Sequence, residues 1–173
     1  MMVENDKADA TRPGEIEAAL PERTDARLVF IGTIRTPYLT RDDCPRQGKA
    51  DGPVCRIELH EPWRQGLKGL ERFAKVEVLY WMHRARRDLI QQSPKSNGDT
   101  FGTFALRSPV RPNPIATSLC ELVAVEDGAI LVRGLDCLDG TPLVDLKPDR
   151  CGYSPVAPPN PGETARGEAE TAS

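Results

Sequence analysis

Residues 118–135 read SLCELVAVEDGAILVRGL, two short apolar runs separated by a Glu-Asp-Gly sequence at 126–128. Apolar runs of this length, bounded by turn residues, are typical of β-strands. Glycine tolerates the positive φ angles that tight hairpin turns require, so the break between the runs favours a turn. The stretch therefore predicts an antiparallel hairpin made of residues 118–125 and 129–135.

Further short apolar runs lie in the middle of the chain, at residues 28–34, 54–59, 76–82, 102–106 and 143–146. Many short strands with few helices favour a closed or nearly closed barrel, because closure removes the exposed edges that invite aggregation. The sequence therefore predicts a mainly β fold, a small antiparallel or mixed β-barrel with a few short helices.

One segment has helical spacing of its apolar residues. Leu67, Leu70 and Phe73 fall on one face of a helix drawn over residues 63–73. Two glycines within the segment each cost a helix about 1 kcal/mol relative to alanine. We predict one short helix here.

The two ends of the chain differ in composition from the middle. Residues 1–26 are rich in charge, Ala and Pro, with at most a short helical turn at 16–20, and residues 151–173 are dense in Pro, Gly, Ala and Glu. Such segments bury too little apolar surface to offset the entropy lost on ordering. We predict a flexible lead-in over 1–26, one domain over 27–150 and a disordered tail over 151–173.

The composition of the chain disfavours disulfide-rich, zinc-cluster, exported and membrane-spanning proteins. A chain of 173 residues is long enough to bury a core without disulfide or metal staples. Its five cysteines are an odd number without a C-x-x-C pair, which argues against a disulfide framework and against a zinc cluster. The sequence shows neither a signal peptide nor a membrane-spanning apolar run, so we expect reduced thiols in a cytoplasmic protein.

The net charge of −3 predicts no general attraction to polyanions. Any contact with nucleic acid must therefore come from local basic clusters. Arg84, Arg86 and Arg87 form one such cluster, which suits either phosphate contacts or a solvated turn. His83 precedes it at the end of an apolar run, where hydrogen-bonded structure is the commoner role, and no metal site is predicted.

The segment at 107–115 contains three prolines, which fix φ and push the preceding residues out of the helical region. We predict a rigid, extended loop. The rigid backbone that carries Arg107, Arg111 and Asn113 loses little conformational entropy on binding. The planar donor groups of these side chains suit a carboxylate, a phosphate or an adenine edge. The alternative is a stiff surface connector.

Two further loops carry candidate binding residues. Residues 45–48 read Pro-Arg-Gln-Gly and offer backbone donors and a Gln amide to a ligand, or are simply a loop. Residues 138–148 begin with an Asp-Gly turn and end in a predicted strand. P-loop, Rossmann, zinc-protease and serine-esterase motifs are absent from the sequence, which disfavours those chemistries and a classical Rossmann methyltransferase.

Several segments, taken in order, resemble one protein family. They are IGTIRTPY at 31–38, PRQ at 45–47, HR at 83–84, GTFALRSPVRPNPI at 102–115 and DGTPLVDLKP at 139–148. Their order and spacing resemble the TsaA-like family of S-adenosylmethionine-dependent tRNA methyltransferases, also called TrmO-type enzymes. The resemblance implies a small β-barrel that binds S-adenosylmethionine outside any Rossmann fold, usually as a homodimer with the cofactor near the subunit interface.

The resemblance also implies a reaction and a set of site residues. Characterised bacterial relatives methylate the N6 nitrogen of threonylcarbamoyladenosine beside the anticodon of certain tRNAs. The implied cofactor contacts are Pro45, Arg46, Gln47, His83, Arg84, Arg107, Leu119, Leu138, Asp139, Gly140 and Thr141. The expected substrate contacts are Arg86, Arg87, Arg111 and Asn113.

Methyl transfer from a sulfonium depends mainly on holding the nucleophile and the methyl group at near-attack distance. The reacting nitrogen loses a proton, for which Asp139 or Asp145 is the candidate acceptor. Asp145 has an alternative role in orienting Arg107 or Lys147.

The sequence departs from the family pattern after Lys147 and Pro148, where many relatives continue into a further region thought to help with tRNA. Ala116 and Thr117 also replace a Gly-hydrophobic pair common in the family. Two other hypotheses therefore stand beside the tRNA methyltransferase. One is an S-adenosylmethionine-dependent enzyme with a small-molecule acceptor, and the other is a non-catalytic sensor of the cofactor.

Overall fold

The structure is a computed structural model, and it describes residues 10–19, 26–95 and 97–149 of the chain. The strands in these residues are β1 (Ile16–Glu17), β2 (Gly32–Arg35), β3 (Cys55–Leu59), β4 (Lys75–Trp81), β5 (Leu89–Gln92), β6 (Phe101–Gly102), β7 (Ile115–Glu126), β8 (Ala129–Arg133) and β9 (Thr141–Pro148). Short 3₁₀ helices lie at Trp63–Leu67, Leu70–Arg72 and Thr103–Ala105.

Within the described residues, six strands close into a barrel in the order β2-β3-β8-β7-β4-β9. Every pairing around the barrel is antiparallel. The prediction of a mainly β fold with a small barrel is confirmed. The strands β1, β5 and β6 form a separate three-stranded sheet.

The core follows from alternation along the barrel strands. In β4 the side chains of Val76, Val78 and Tyr80 are buried, while those between them are partly exposed. In β3 the same alternation buries Ile57 and its neighbours two positions away. Because successive side chains of a strand point to opposite faces, each strand contributes one face to the barrel interior.

The predicted hairpin is confirmed as β7 and β8, which pair from Glu126 and Ala129 outward. Gly128 has a φ of 73°, the left-handed conformation that the turn requires. The first strand is longer than predicted and begins at Ile115, because its first residues pair with the end of β4.

The prediction of one helix over 63–73 is wrong. Two 3₁₀ helices occupy this segment, and Gly69 between them has a φ of 91°. A left-handed residue cannot continue a right-handed helix, so the helical spacing of the apolar residues is not realised as one element. Buried Leu67 and Leu70 still pack into the barrel core.

Three other expectations are corrected. The predicted helical turn at 16–20 is wrong at Ile16 and Glu17, which form β1 and pair with β5. The predicted strand at 102–106 is reduced to the two residues of β6, followed by a 3₁₀ helix. The strand β5 was not predicted, because Leu89–Gln92 is half polar and lacks a clear alternation.

Part of the predicted lead-in lies against the domain. The Arg12 guanidinium donates to the Ser93 carbonyl at 2.9 Å, and the Glu15 carboxylate accepts the Ser93 N–H at 2.9 Å. Residues 10–19 are therefore bonded to the segment after β5. The predicted tail at 151–173 and most of 1–26 fall outside the described residues. None of the described helices is long and apolar enough to cross a membrane.

The barrel core generates a stability prediction. Ile57 is fully buried at the centre of β3, whereas Val123 on β7 is 48% exposed. We expect Ile57→Ala to lower the free energy of unfolding by about 2–5 kcal/mol, because it removes buried methyl groups and leaves a cavity. Val123→Ala is the control and is expected to cost less than about 1 kcal/mol. Urea denaturation measures both, and equal losses would contradict a core centred on Ile57.

Candidate functional site

Three connections between barrel strands emerge at the same end of the barrel. They are residues 36–54 between β2 and β3, residues 82–114 between β4 and β7, and residues 134–140 between β8 and β9. Antiparallel neighbours alternate in direction, so the ends of β2, β4 and β8 must lie together. This end, which we call the loop end, carries most of the residues that the sequence predicts to bind ligand.

Backbone hydrogen bonds fix the Asp-Gly turn beside the segment that follows β2. The Asp139 N–H donates to the Tyr38 carbonyl at 2.8 Å, and the Gly140 N–H donates to the Ile34 carbonyl at 2.9 Å. The Asp139 carboxylate accepts the Thr36 N–H at 3.1 Å. These bonds extend the β2–β9 ladder into the loop end and leave the turn little freedom.

The 45–48 loop touches the start of the 134–140 connection through its glycine. A Cβ placed on Gly48 would lie 1.7 Å from the Gly134 carbonyl oxygen, closer than any side chain permits. On its other side Gly134, at φ 109°, lies close to the carbonyl oxygen of Leu119. Two glycines therefore let three segments pack backbone against backbone.

A partly buried polar cluster of Tyr80, Ser118 and Asp136 lies next to these segments. The Tyr80 hydroxyl donates to the Asp136 carboxylate at 2.5 Å, and the Ser118 hydroxyl lies 3.4 Å from the same oxygen and 2.9 Å from the Tyr80 hydroxyl. The backbone N–H of Gly48 also favours the ionised form of this carboxyl. Burial raises the pKa of Asp136 above its ordinary value, and these hydrogen bonds oppose the rise.

Most of the predicted cofactor contacts divide among the three connections, while Leu119 lies in β7 and Thr141 begins β9. Pro45 is half-buried, while Arg46 and Gln47 are exposed on the loop that ends at Gly48. Leu138, Asp139 and Gly140 are half-buried in the Asp-Gly turn, and Thr141 is buried where β9 begins, its hydroxyl donating to the Leu138 carbonyl at 2.7 Å. The structure thus brings the first and third predicted segments together.

The predicted contacts in the middle connection lie just after β4. His83 and Arg84 are both exposed in a turn, and the Arg41 guanidinium donates to the Arg84 carbonyl at 2.7 Å. Partial desolvation and the neighbouring Arg84 lower the pKa of His83 below its ordinary value. The imidazole is therefore neutral near pH 7 and offers one donor and one acceptor.

The Pro-rich loop has no helix or strand between the 3₁₀ helix at Thr103–Ala105 and the start of β7. It bends at residues 109 and 111–113, so it is not extended throughout, in contrast to the prediction from the sequence. Arg107 is exposed and reaches the Thr117 carbonyl only at 3.5 Å. Arg111 instead bonds the carbonyls of Thr103, Leu106 and Ser108 within its own loop. Asn113 is exposed near the start of β7.

Two of the predicted substrate-binding arginines are bonded inside the protein. Arg86 pairs with Asp88 at 2.8 Å and with Glu17 of β1 at 2.9 Å. Arg87 donates to the Pro112 carbonyl at 2.6 Å, and its guanidinium lies 5.4 Å from the centroid of the Trp81 ring. Their guanidinium groups stabilise the middle connection, and their contact with substrate stays a prediction.

The two candidate proton acceptors lie in different surroundings. Asp139 is in the loop-end turn, with 34% of its side chain exposed and Arg35 at 3.7 Å. Asp145 lies in the barrel wall on β9, where its carboxylate pairs with Lys147 at 2.6 Å and accepts the Leu146 N–H. Asp139 is the one placed among the predicted cofactor segments.

The cluster of Asp136, Tyr80 and Ser118 was missed by sequence reasoning. Asp136 follows Gly134 closely, and an Asp near a Gly indicates a turn rather than a buried carboxylate. Tyr80 and Ser118 belong to predicted strands, and only the register of β4 against β7, which pairs Tyr80 with Ala116 and Val78 with Ser118, brings them together. The sequence carries no local signal for this contact.

Comparison with known proteins agrees with the barrel and its loops. A sequence profile of the tRNA-methyltransferase O N-terminal domain matches residues 33–153. The probable S-adenosyl-L-methionine-binding protein VirR of Rhizobium radiobacter is 52% identical over 147 residues, which cover 85% of this chain and 84% of the relative. The tRNA (adenine(37)-N6)-methyltransferase of Escherichia coli (strain K12) is 37% identical over 146 residues, which cover 78% of this chain and 60% of the enzyme.

A solved structure is similar in fold. The crystal structure of TrmO from Pseudomonas aeruginosa matches with a TM-score of 0.60 and 33% sequence identity, covering 76% of this chain and 57% of that one. The chain therefore spans most of the VirR relative, but less than two thirds of the length of the E. coli enzyme and of the solved TrmO chain.

The close backbone approach at the loop end generates a second stability prediction. We expect Gly48→Ala to lower the free energy of unfolding by about 1–3 kcal/mol, because the new methyl group overlaps the Gly134 carbonyl and forces the backbone apart. Gly66→Ala is the matched control, since a Cβ there meets no atom within 4 Å, and it is expected to change stability by less than about 1 kcal/mol. Urea denaturation measures both variants, and equal losses of stability would contradict a close backbone contact between Gly48 and Gly134.

The partly buried carboxyl of Asp136 predicts that stability depends on pH. Because the pKa of Asp136 is raised in the folded state, the folded protein binds this proton more tightly than the unfolded chain does. The contribution of Asp136 to stability therefore falls as pH rises from about 4, the ordinary Asp pKa, until the folded carboxyl has ionised. We expect the unfolding free energy of the wild type minus that of Asp136→Asn to decrease over this range. A difference that rises with pH would contradict the shift.

Proposed function

Since the chain belongs to the family of the tRNA-methyltransferase O N-terminal domain, we propose that it binds S-adenosylmethionine at the loop end and methylates the N6 nitrogen of threonylcarbamoyladenosine in tRNA. One observation carries the proposal most directly. The Pro-Arg-Gln loop and the connection that carries the Asp-Gly turn, far apart in the chain, meet at the loop end through Gly48 and Gly134. The proposal includes a cytoplasmic homodimer, as the resemblance implies.

The residues present suit an adenosine cofactor that carries an amino acid. Backbone groups and the Gln47 amide supply neutral donors and acceptors, which suit an adenine edge or a ribose. Arg107 and Arg84 are exposed cations, and an arginine fork matches the carboxylate of the amino acid. Neutral His83 adds one donor and one acceptor beside them.

The bound cofactor supplies an electrophilic methyl group on a sulfonium. In the transfer the S–CH₃ bond breaks, a C–N bond forms to the substrate nitrogen, and that nitrogen releases a proton. Asp139 is the acceptor we propose, because it lies in the turn beside the predicted cofactor contacts and is partly exposed. The remaining contribution of the protein is to position the two reactants.

The electrostatics bear on how tRNA is bound. The chain carries a net charge of −3, so attraction of a polyanion depends on local cations. Arg46, Arg84 and Arg107 are exposed on the connections at the loop end. We propose that these three residues, together with Asn113, face the tRNA or the cofactor.

A second candidate is an S-adenosylmethionine-binding protein without a tRNA substrate. The observation that favours it is the name of the VirR relative, which at 52% identity is described by cofactor binding alone. Such a protein methylates a small molecule or senses the cofactor. Turnover with tRNA separates it from the first candidate.

The test combines cofactor binding with product analysis. The protein is incubated with methyl-labelled S-adenosylmethionine and tRNA that carries threonylcarbamoyladenosine, and the digested nucleosides are analysed by mass spectrometry for the N6-methylated product. We expect Arg107→Ala to weaken cofactor binding by about 1.5–3 kcal/mol, the worth of a hydrogen bond to a charged group. Isothermal titration calorimetry measures the affinity.

The control is Arg72→Ala, an exposed arginine at the opposite end of the barrel, which is expected to leave both affinity and turnover unchanged. Equal affinity in wild type and Arg107→Ala would remove Arg107 from the site. Cofactor binding by the wild type without any methylated nucleoside would favour the second candidate.

A further inference from the structure

We propose that Asp136 is a positioning residue that holds the 45–48 loop and the 138–141 turn in the arrangement that binds S-adenosylmethionine. This inference rests on the proposed function and deepens it. Asp136 was not among the predicted site residues, and neither the resemblance nor the comparisons assign it a role.

The carboxylate of Asp136 interacts with three groups from separate parts of the chain. It accepts the Tyr80 hydroxyl at 2.5 Å, lies 3.4 Å from the Ser118 hydroxyl, and its ionised form is favoured by the backbone N–H of Gly48. Tyr80 is 1% exposed, so the cluster reaches into the barrel interior. Three separate parts of the chain, the strands β4 and β7 and the 45–48 loop, converge on one side chain.

A partly buried carboxylate is costly to place in a fold. Removing an ionised carboxylate from water costs several kcal/mol unless hydrogen bonds compensate. Asp136 is partly buried and lies against Tyr80, which is 1% exposed, so a neutral side chain at this position would carry a smaller desolvation cost. The carboxylate therefore calls for a role beyond filling space.

The residues of this cluster lie close in sequence to the proposed cofactor contacts. Gly48 follows Gln47, Ser118 precedes Leu119, and Asp136 itself lies two residues before Leu138. Tyr80 lies three residues before His83. Each member of the cluster is thus joined by one to three residues to a proposed cofactor contact.

Binding of a ligand requires that the contacting residues be placed precisely. Contacts to a ligand must be held within about 0.5 Å by supporting groups whose own positions are locked. The 45–48 loop is polar and largely exposed, and it packs on the barrel through the Gly48 backbone. The close approach of Gly48 to Gly134, together with the attraction between the Gly48 N–H and the Asp136 carboxylate, holds this exposed loop against the connection that carries the Asp-Gly turn.

The test uses Asp136→Asn, which keeps the shape of the side chain and removes its charge. Ile130→Val is the matched core control, since Ile130 is fully buried near the other end of the barrel. Isothermal titration calorimetry with S-adenosylmethionine gives the first readout. We expect at least a tenfold weaker affinity for Asp136→Asn and an unchanged affinity for Ile130→Val at a comparable loss of thermal stability.

Limited trypsin digestion gives a second readout that needs no cofactor. Arg46 is exposed in the loop, so cleavage after it reports how often the loop leaves the barrel. We expect Asp136→Asn to be cut after Arg46 at least ten times faster than Ile130→Val, as followed by mass spectrometry. A merely structural role would raise cleavage equally in the two variants.

The outcomes separate this inference from the proposed function. A wild type that binds no S-adenosylmethionine overturns the proposed function, and the inference with it. A wild type that binds, with equal affinity in Asp136→Asn, overturns the inference alone. If Asp136→Asn does not fold, Tyr80→Phe removes the 2.5 Å partner of the carboxylate and is expected to weaken cofactor affinity severalfold, and an unchanged affinity there overturns the inference.

Discussion

Closure of the barrel between β2 and β9 is the constraint on which the site depends. The two strands pair over Gly32, Thr33 and Ile34 of β2. A Cβ on Gly32 would lie 2.4 Å from the Glu58 carbonyl and 3.0 Å from a Leu143 methyl group, so glycine allows β2 to fit between its two neighbours. The ladder then continues into the Asp-Gly turn through the Gly140 N–H. The seam that closes the barrel thus also sets the position of the turn.

The same closure determines which charged residues of an acidic chain share one end of the barrel. The barrel order places the connections at 36–54, 82–114 and 134–140 at the loop end, and the β7–β8 hairpin with the 3₁₀ helices at Trp63–Leu67 and Leu70–Arg72 at the other end. Cations from distant parts of the sequence, Arg46, Arg84 and Arg107, therefore gather at the loop end. Net charge describes the far field of the molecule, whereas binding at contact distance depends on this local arrangement.

The barrel and the β7–β8 hairpin could be predicted from the sequence because alternation and turn residues act locally. Strands β1 and β5 could not, since Ile16–Glu17 is two residues long and is stabilised by a partner about seventy residues away. Local spacing likewise favoured a helix at 63–73, but the left-handed conformation of Gly69 divides it. These misses have one cause, which is that tertiary pairing outweighs local preference where a segment is short.

Prediction of the site was also limited by contacts between residues that are distant in sequence. Motif resemblance named residues in three connections, and the topology brings these connections to one end of the barrel. It gave no account of Asp136, whose partners Tyr80 and Ser118 meet only through strand register. Nor could the sequence separate arginines that bond the protein from those that face outward. Arg87 and Arg111 bond carbonyls of their own connection, and Arg86 bonds Asp88 of that connection and Glu17 of β1.

The arginines of the 82–114 connection divide into those that bond the protein itself and those that are exposed. A long connection without regular structure leaves backbone carbonyls to satisfy, and the five donors of a guanidinium satisfy several at once. Arg111 bonds the carbonyls of Thr103, Leu106 and Ser108, on both sides of Arg107 in the chain, and so stiffens the segment that carries Arg107. An exposed cation on a stiff loop loses less entropy when it binds than one on a mobile loop. The internal bonds of Arg111 therefore lower the entropy cost of any contact that Arg107 makes with a ligand.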